Sequence, residues 1–381
     1  MISLSEPFVT GQEIISIKKS LKKKEISTYG ITIKQFEKKF SSFISSKYSL
    51  ALNSGTSALH VALKVVGVKS GSEVIVSTLT FAATVNAIVY NRARPVFIDC
   101  NEQFGIDINK TIEFLKKETY FKNKKCFNKK TKNHIVALLV VDVWGQAVDT
   151  SKIKKICNDK NIKIIKDAAE SVGSYSQSKK RDKPTYSSDI ACFSFNGNKI
   201  ITTGSGGMLS TNNKKYYEKS IYYASQAKDN KIKFIHNDVG YNYRMSSIQA
   251  SIGIAQLKQI KFFIKKKKII FNIYKNFFKD HKDIEFFQHN SNYSNYWLNL
   301  IKFKKKVNLD QVIHFLKKSK IEVRNIWFPN HLQKPFQHYE RYKIKNAKKL
   351  VSNYLCIPSS VGLTKNQQIY VCKKLNKSIY R

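Results

Sequence analysis

The sequence predicts an α/β chain in which a large domain, built on a largely parallel sheet, is followed by a smaller α+β domain. Between about residues 50 and 210, short β-type runs alternate with helical stretches, the pattern left by β-α-β units. Beyond a long helical segment that begins near Ser246, the order of strands and helices changes. The chain has 381 residues, more than the roughly 250–300 that a single hydrophobic core serves. We place the division at 1–262 and 263–381, with an N-terminal arm on the first part.

Within the large domain, Ala58, Leu59, Ala62, Leu63 and Val66 recur at helical spacing and predict a helix over Ser57–Val66. Strands are expected at Glu73–Ser77, Pro95–Asp99, Ile135–Val141, Ile162–Lys166, Ile190–Ser194 and Gly207–Ser210, apolar runs bounded by polar turns. Residues 116–134 form a polar, lysine-rich insertion between a helix and a strand. It either walls a pocket or is an inert surface loop. Ser246 to about Lys279 reads as one or two long helices leading out of the domain. A strand at 296–303, a helix at 309–318, a strand at 321–324 and a helix at 364–379 compose the smaller domain.

Composition narrows the function classes. The hydrophobic fraction is 42%, that of a folded globular chain. The longest apolar run, Ile135–Val141, is far shorter than the roughly 20 residues of a membrane span. Glu6 and Pro7 lie where a secretory signal needs basic and then apolar residues, so a cytoplasmic protein is expected. Six dispersed cysteines show no Cys-x-x-Cys and no zinc-type spacing, which implies free thiols and no metal. The formal charge of +42 raises the question of an anionic partner. Only seven of the basic residues are arginine, and the lysines are spread along the whole chain. Base readout leans on arginine, and no nucleic-acid-binding motif is present, so specific nucleic-acid binding is not expected. The run Lys261-Phe-Phe-Ile-Lys-Lys-Lys-Lys-Ile-Ile-Phe reads as the solvated face of a long helix.

Three segments carry chemistry. Asn53-Ser-Gly-Thr-Ser-Ala-Leu-His opens the first predicted helix, and a glycine beside hydroxyls at a helix N-terminus offers N–H groups to a phosphate. The same residues also suit an ordinary N-cap. Asp167 and Glu170 follow a buried-type strand, where ligands of open α/β sheets bind. Asp167 is there either to hold a protonated ring nitrogen or to cap a helix. In Asp189 to Gly207, a strand runs into Lys199 and then a glycine-rich turn. A lysine so placed can serve as an imine-forming amine when its surroundings are dry and cationic.

Together these segments resemble a family. Asn53-Ser-Gly-Thr-Ser-Ala-Leu-His, Thr80-Phe-Ala-Ala-Thr, Asp167-Ala-Ala-Glu, Ser194-Phe-Asn-Gly-Asn-Lys and Gly240-Tyr-Asn-Tyr-Arg stand in the order of the DegT/DnrJ/EryC1/StrS sugar aminotransferases. The resemblance covers nearly the whole chain. It implies fold type I of the pyridoxal-phosphate (PLP) transferases, aspartate aminotransferase-like, with a large mixed-sheet domain and a small α+β domain. It also implies a homodimer with shared active sites. By position, Lys199 matches the Schiff-base lysine, Asp167 the partner of the ring nitrogen, and Phe81 the aromatic stacked on the ring. Gly55, Thr56, Ser57 and Ser194 match the phosphate cradle, and Asn242 a residue reaching the phosphate from the other subunit. Glu170 stands near the place of the cofactor's phenolic oxygen, where the family often has Gln or His; facing a phenolate, a carboxyl has to be protonated or displaced. Asp142 and Ser205 also depart from the family pattern, standing where His and an acidic residue are common.

The resemblance implies a transaminase that takes its amino group from glutamate and gives it to a nucleotide-linked keto-sugar by way of pyridoxamine phosphate. Residues 111–131, Val143-Trp-Gly-Gln and Asn325-Ile-Trp-Phe-Pro-Asn-His resemble the subgroup serving legionaminic-acid and bacillosamine-type pathways. That subgroup implies amination at C4 of a 4-keto-6-deoxy-N-acetylhexosamine. The rivals are a 3-keto sugar, a non-acetylated 4-keto-6-deoxyhexose, a cyclitol, or a sugar-nucleotide-binding regulator without catalysis. Arg324 and His331 are candidates for contact with the substrate's phosphates or sugar, or else members of a surface ion pair.

Overall fold

The computed structural model describes residues 1–175, 188–230, 232–289 and 293–379. Its strands are β1 (Tyr48–Leu52), β2 (Glu73–Ser77), β3 (Arg94–Ile98), β4 (Thr119–Lys122), β5 (Lys125–Asn128), β6 (His134–Val141), β7 (Lys163–Asp167), β8 (Ile190–Ser194), β9 (Gly207–Thr211), β10 (Ile284–Phe286), β11 (Asn299–Phe303), β12 (Arg324–Asn325), β13 (Arg341–Tyr342) and β14 (Tyr354–Ile357). The large sheet runs β1-β9-β8-β7-β6-β2-β3-β13, and β4 and β5 branch from β6. Neighbours from β8 through β13 are parallel, whereas β9 is antiparallel to both β8 and β1. The sheet is therefore mixed, as the resemblance implies. The small sheet, β10-β11-β14-β12, is antiparallel throughout.

The helices are α1 (Gln12–Lys22), α2 (Ile31–Ile44), α3 (Gly55–Val65), α4 (Ala82–Tyr90), α5 (Ile108–Lys117), α6 (Ser151–Asp159), α7 (Lys214–Ala224), α8 (Ser247–Phe277), α9 (Leu309–Lys318), α10 (Asn346–Val351) and α11 (Lys365–Ser378). Most central strands are buried along their whole length, as expected of a sheet covered on both faces. One face packs on α3 through Leu59, Ala62 and Leu63. Phe193 and Phe195 on the other face meet Phe36 and Phe40 of α2.

The segment after Ser246 is one helix of 31 residues, started by a capping box in which Ser246 and Gln249 satisfy each other's backbone amides. Ile260 and Phe263 belong to the large core, while Ile270, Phe271 and Tyr274 belong to that of the small sheet. The boundary at 262/263 thus falls inside a continuous helix. Two excursions cross it: Ile2 pairs with Ile321 beside the small sheet, and β13 returns to the large sheet as a parallel neighbour of β3.

The insertion at 116–134 contains the hairpin β4–β5, which pairs through Cys126 and Phe127 with Ile135 and His134, the first residues of β6. Buried Glu73 anchors it by accepting from Asn128, Thr131 and Asn133. The cavity described below lies at the opposite end of β6, so the insertion does not wall it.

Candidate active site

The parallel strands β6, β7 and β8 end at Val141, Asp167 and Ser194, and a cavity of about 420 Å³ opens over those ends. The N-termini of α3 and α4 point their first turns into it, and β12, Trp327 and Cys356 close it from the small sheet. Gly55, Thr56, Phe81, Asp167, Glu170, Ser194, Lys199 and Arg324 all line this one space.

The α3 terminus is built for close approach. Ser54 caps it by accepting from the Ser57 amide at 3.0 Å, and the Ser57 hydroxyl, 2.8 Å from Ser54 Oγ, donates to Asn53 Oδ1 at 2.7 Å. Ser57 supports the turn and does not line the cavity. A Cβ on Gly55 would lie 2.8 Å from Ser194 Cβ, which only a glycine avoids. The amides of this turn have no preceding turn to bond and suit an anion.

Asp167 ends β7 and is buried. Its Oδ2 accepts from Thr84 Oγ at 2.7 Å and its Oδ1 from the Ala169 amide at 3.1 Å. Burial raises its pKa against those hydrogen bonds and Lys199. Among the described residues it forms no salt bridge. Lys199, five residues beyond β8, places Nζ 3.3 Å from Glu170 Oε1 and 4.1 Å from the centre of the Trp297 ring. The other Glu170 oxygen accepts from the Trp144 amide at 3.0 Å. Burial pushes the Glu170 carboxyl up to about 7, with Lys199 opposing.

Phe81 stands at the entry of α4, 59% exposed, with its ring 6.4 Å from that of Trp327. Arg324 lines the cavity while giving two hydrogen bonds to Glu322 Oε1, so it is a member of an ion pair set at the cavity wall. His331 is elsewhere: it is buried, its Nδ1 lies 2.7 Å from Thr78 Oγ, and burial lowers its pKa to about 4. Its candidacy as a substrate contact is corrected to that of a brace under the loop leading to Phe81. Asn242 is exposed and outside this chain's cavity; its carbonyl accepts from Asn53 Nδ2 at 3.3 Å.

Four features were not legible as site residues. All three tryptophans of the chain, Trp144, Trp297 and Trp327, line the cavity, and Trp144 stacks on Trp327 with ring centres 4.3 Å apart. Only their rarity could have flagged them. The fourth is a buried pair behind the site. Asp142 Oδ1 lies 3.6 Å from Lys166 Nζ and accepts from the Val148 amide, Oδ2 accepts from Ser171, and Nζ donates to the Val148 carbonyl. The departure at Asp142 is thereby explained: its charge is matched by Lys166 and fixes the turn that carries Trp144. Ser205 donates to the Asn53 carbonyl at 2.8 Å and ties the glycine-rich turn to the α3 entry.

The family model for the DegT/DnrJ/EryC1/StrS aminotransferase family matches residues 9–376. The chain belongs to that family. It is a sugar aminotransferase, and its cofactor is pyridoxal phosphate. GDP-perosamine synthase of Escherichia coli O157:H7 is 33% identical over 99% of this chain and 98% of that protein. UDP-4-amino-4,6-dideoxy-N-acetyl-beta-L-altrosamine transaminase of Campylobacter jejuni subsp. jejuni serotype O:23/36 is 34% identical over 74% of this chain and 71% of its own length. In fold, the aminotransferase matches PseC of Helicobacter pylori, involved in the biosynthesis of pseudoaminic acid, with a TM-score of 0.88 over 100% of this chain and 99% of that one at 23% identity.

The residues fit this cofactor. A buried carboxylate without a cation is costly, and a protonated ring nitrogen would supply the cation that Asp167 lacks among the described residues. The α3 turn offers amides to the phosphate, and Phe81 offers a ring face. Among the described residues no cluster of His, Cys, Asp and Glu suits a metal, and no helix is long and apolar enough to cross a membrane.

Proposed function

We propose that the protein moves an amino group from glutamate to C4 of a nucleotide-linked 4-keto-6-deoxy-N-acetylhexosamine, in the making of a bacterial surface-glycan sugar. The observation that carries this reading is Lys199 Nζ, held between Glu170 and Trp297 at the strand ends with Asp167 in the same cavity. Bound pyridoxal phosphate supplies an electrophilic carbonyl for amines and a ring that accepts the electron pair of a broken C–H bond. Lys199 would anchor that group covalently and, once released, its Nζ would be the base that carries a proton in the transfer. Asp167 would keep a proton on the ring nitrogen. Gly55, Thr56 and Ser194 would hold the phosphate, Phe81 would cover the ring, and the tryptophans would exclude water from it. Arg324, at the small-sheet wall, is suited to the substrate's diphosphate.

The N-acetylated, 6-deoxy, 4-amino product is supported by the name of the Campylobacter relative. A second reading, a GDP-linked sugar without the acetamido group, is favoured by the whole-chain similarity to a GDP-perosamine synthase. A homodimer is supported by the position of Asn242, outside its own chain's cavity, and by exposed Phe234 and Val239 in the loop before it. The test is incubation of the loaded protein with glutamate and a panel of UDP- and GDP-linked keto-sugars. The N-acetylated 4-keto-6-deoxy sugar should lead in kcat/KM by about tenfold or more, some 1.4 kcal/mol. A lead of that size for the non-acetylated GDP sugar selects the second reading, and one for 3-keto sugars ends both.

A further inference from the structure

Glu170 faces the cofactor position with an acidic group, and the chemistry above gives it no task. We propose that Glu170 is the proton partner of Lys199: Oε1 takes a proton from the Nζ ammonium whenever the lysine has to act as a free amine, and gives it back when the lysine has to be charged. The inference rests on Lys199 being the residue that carries the cofactor. In the forward step an N–H bond breaks, its electron pair stays on nitrogen as the lone pair, and an O–H bond forms on Oε1. A charged pair becomes a neutral one, with no net change in charge.

The geometry supports this exchange. Oε1 and Nζ are 3.3 Å apart, and both residues line the cavity. The second carboxyl oxygen is held by the Trp144 amide at 3.0 Å, so the carboxyl cannot turn away and presents Oε1 to the lysine. That amide is itself fixed, because Asp142 pins the turn through Val148 at 2.8 Å and Ser171 at 2.7 Å. The other titratable neighbours do not compete. Asp167 on β7 adds a like charge, Asp142 at the end of β6 is matched by Lys166, Arg324 on β12 is matched by Glu322, and Cys356 on β14 is a buried thiol whose pKa burial raises. Among the described residues Lys199 is thus the cation at hand for Glu170. In so dry a place the neutral carboxyl of Glu170 gains relative to the carboxylate. Burial pushes that carboxyl up to about 7, so it can both take and release a proton near neutral pH. A salt bridge serving only to hold the lysine in place would make no such exchange.

The experiment follows covalent uptake of pyridoxal phosphate by the apo-protein, read as the growth of its visible absorption band, across pH on both sides of neutrality. In the wild type the rate should rise through a midpoint near neutral pH as Glu170 becomes able to accept the proton. In Glu170→Gln, of the same size, the amine must lose its proton to water, and the midpoint should move to alkaline pH by about one unit or more, about a tenfold loss of rate at neutral pH. Glu170→Asp keeps the carboxyl and should retain a midpoint near neutrality at reduced rate. A Glu170→Gln profile that superposes on the wild type, or is lowered equally at every pH, overturns the proton exchange. A wild-type protein that forms no visible band overturns the Lys199 assignment, and the exchange with it.

Discussion

At the scale of single residues, what decides function is which charges are left unmatched in a dry site. Asp167 is buried and, among the described residues, its carboxylate is bonded only to a hydroxyl and an amide, whereas Asp142, two strand ends away from β8, is matched by Lys166. Only Asp167 has room in its charge balance for a cationic ring nitrogen. Asp167→Asn should therefore retain part of the cofactor binding while slowing both half-reactions, followed as single-turnover rates with glutamate and with keto-sugar. Rates equal to wild type would reduce Asp167 to a group that only fixes Thr84 and the Ala169 amide. That Lys199 and Asp167 share one cavity was legible because each follows a recognisable strand and a motif. His331 was misread for a physical reason: a histidine in a polar loop looks available, and only the fold reveals that Thr78 takes it inward.

At the scale of elements, the central strands were legible because they are short apolar runs between turns, and the observed β2 and β8 coincide with the predicted spans. The α2 stripe of Ile33, Phe36, Phe40 and Ile44 also follows helical spacing. Tyr48–Leu52 carries no comparable signal, since five residues without alternation become a strand only by pairing with β9, far along the chain. The turn between β6 and α6 was equally hidden. Trp144 adopts a φ of 54° there, a conformation that non-glycine residues enter only when their surroundings hold them. The Asp142–Lys166 pair provides that hold. Asp142→Ala should cost about 3–5 kcal/mol in denaturant unfolding, because it strands a buried ammonium. Asp142→Ala combined with Lys166→Met should recover most of this loss, since the stranded charge is gone. A double variant as unstable as the single one would show that the pair's charges are not what holds the turn.

At the scale of the whole molecule, the site is an assembly of distant parts: the α3 and α4 entries, three strand ends, the small sheet and the N-terminal arm, whose Leu4 and Ser5 line the cavity. Sequence reading could place the motifs in order but not bring Trp297 and Trp327 onto the same space as Trp144. Because all three tryptophans line it, loading with pyridoxal phosphate should quench most of the protein's tryptophan emission. Quenching of a minor part only would mean that the cofactor binds elsewhere. Composite sites make a second demand on the assembly. A Lys199→Ala chain mixed with an Asn242→Ala chain should recover activity in heterodimers, and proven heterodimers without recovery would contradict a role for Asn242 across the interface.

The most direct test of the account is reductive trapping. Wild-type protein loaded with pyridoxal phosphate is treated with borohydride, digested and mapped by mass spectrometry, with Lys199→Ala as its pair. The reduced cofactor is expected on Lys199 alone, with neither label nor turnover in the Lys199→Ala chain. Label on another lysine, or amino transfer that survives the loss of Lys199, would contradict it.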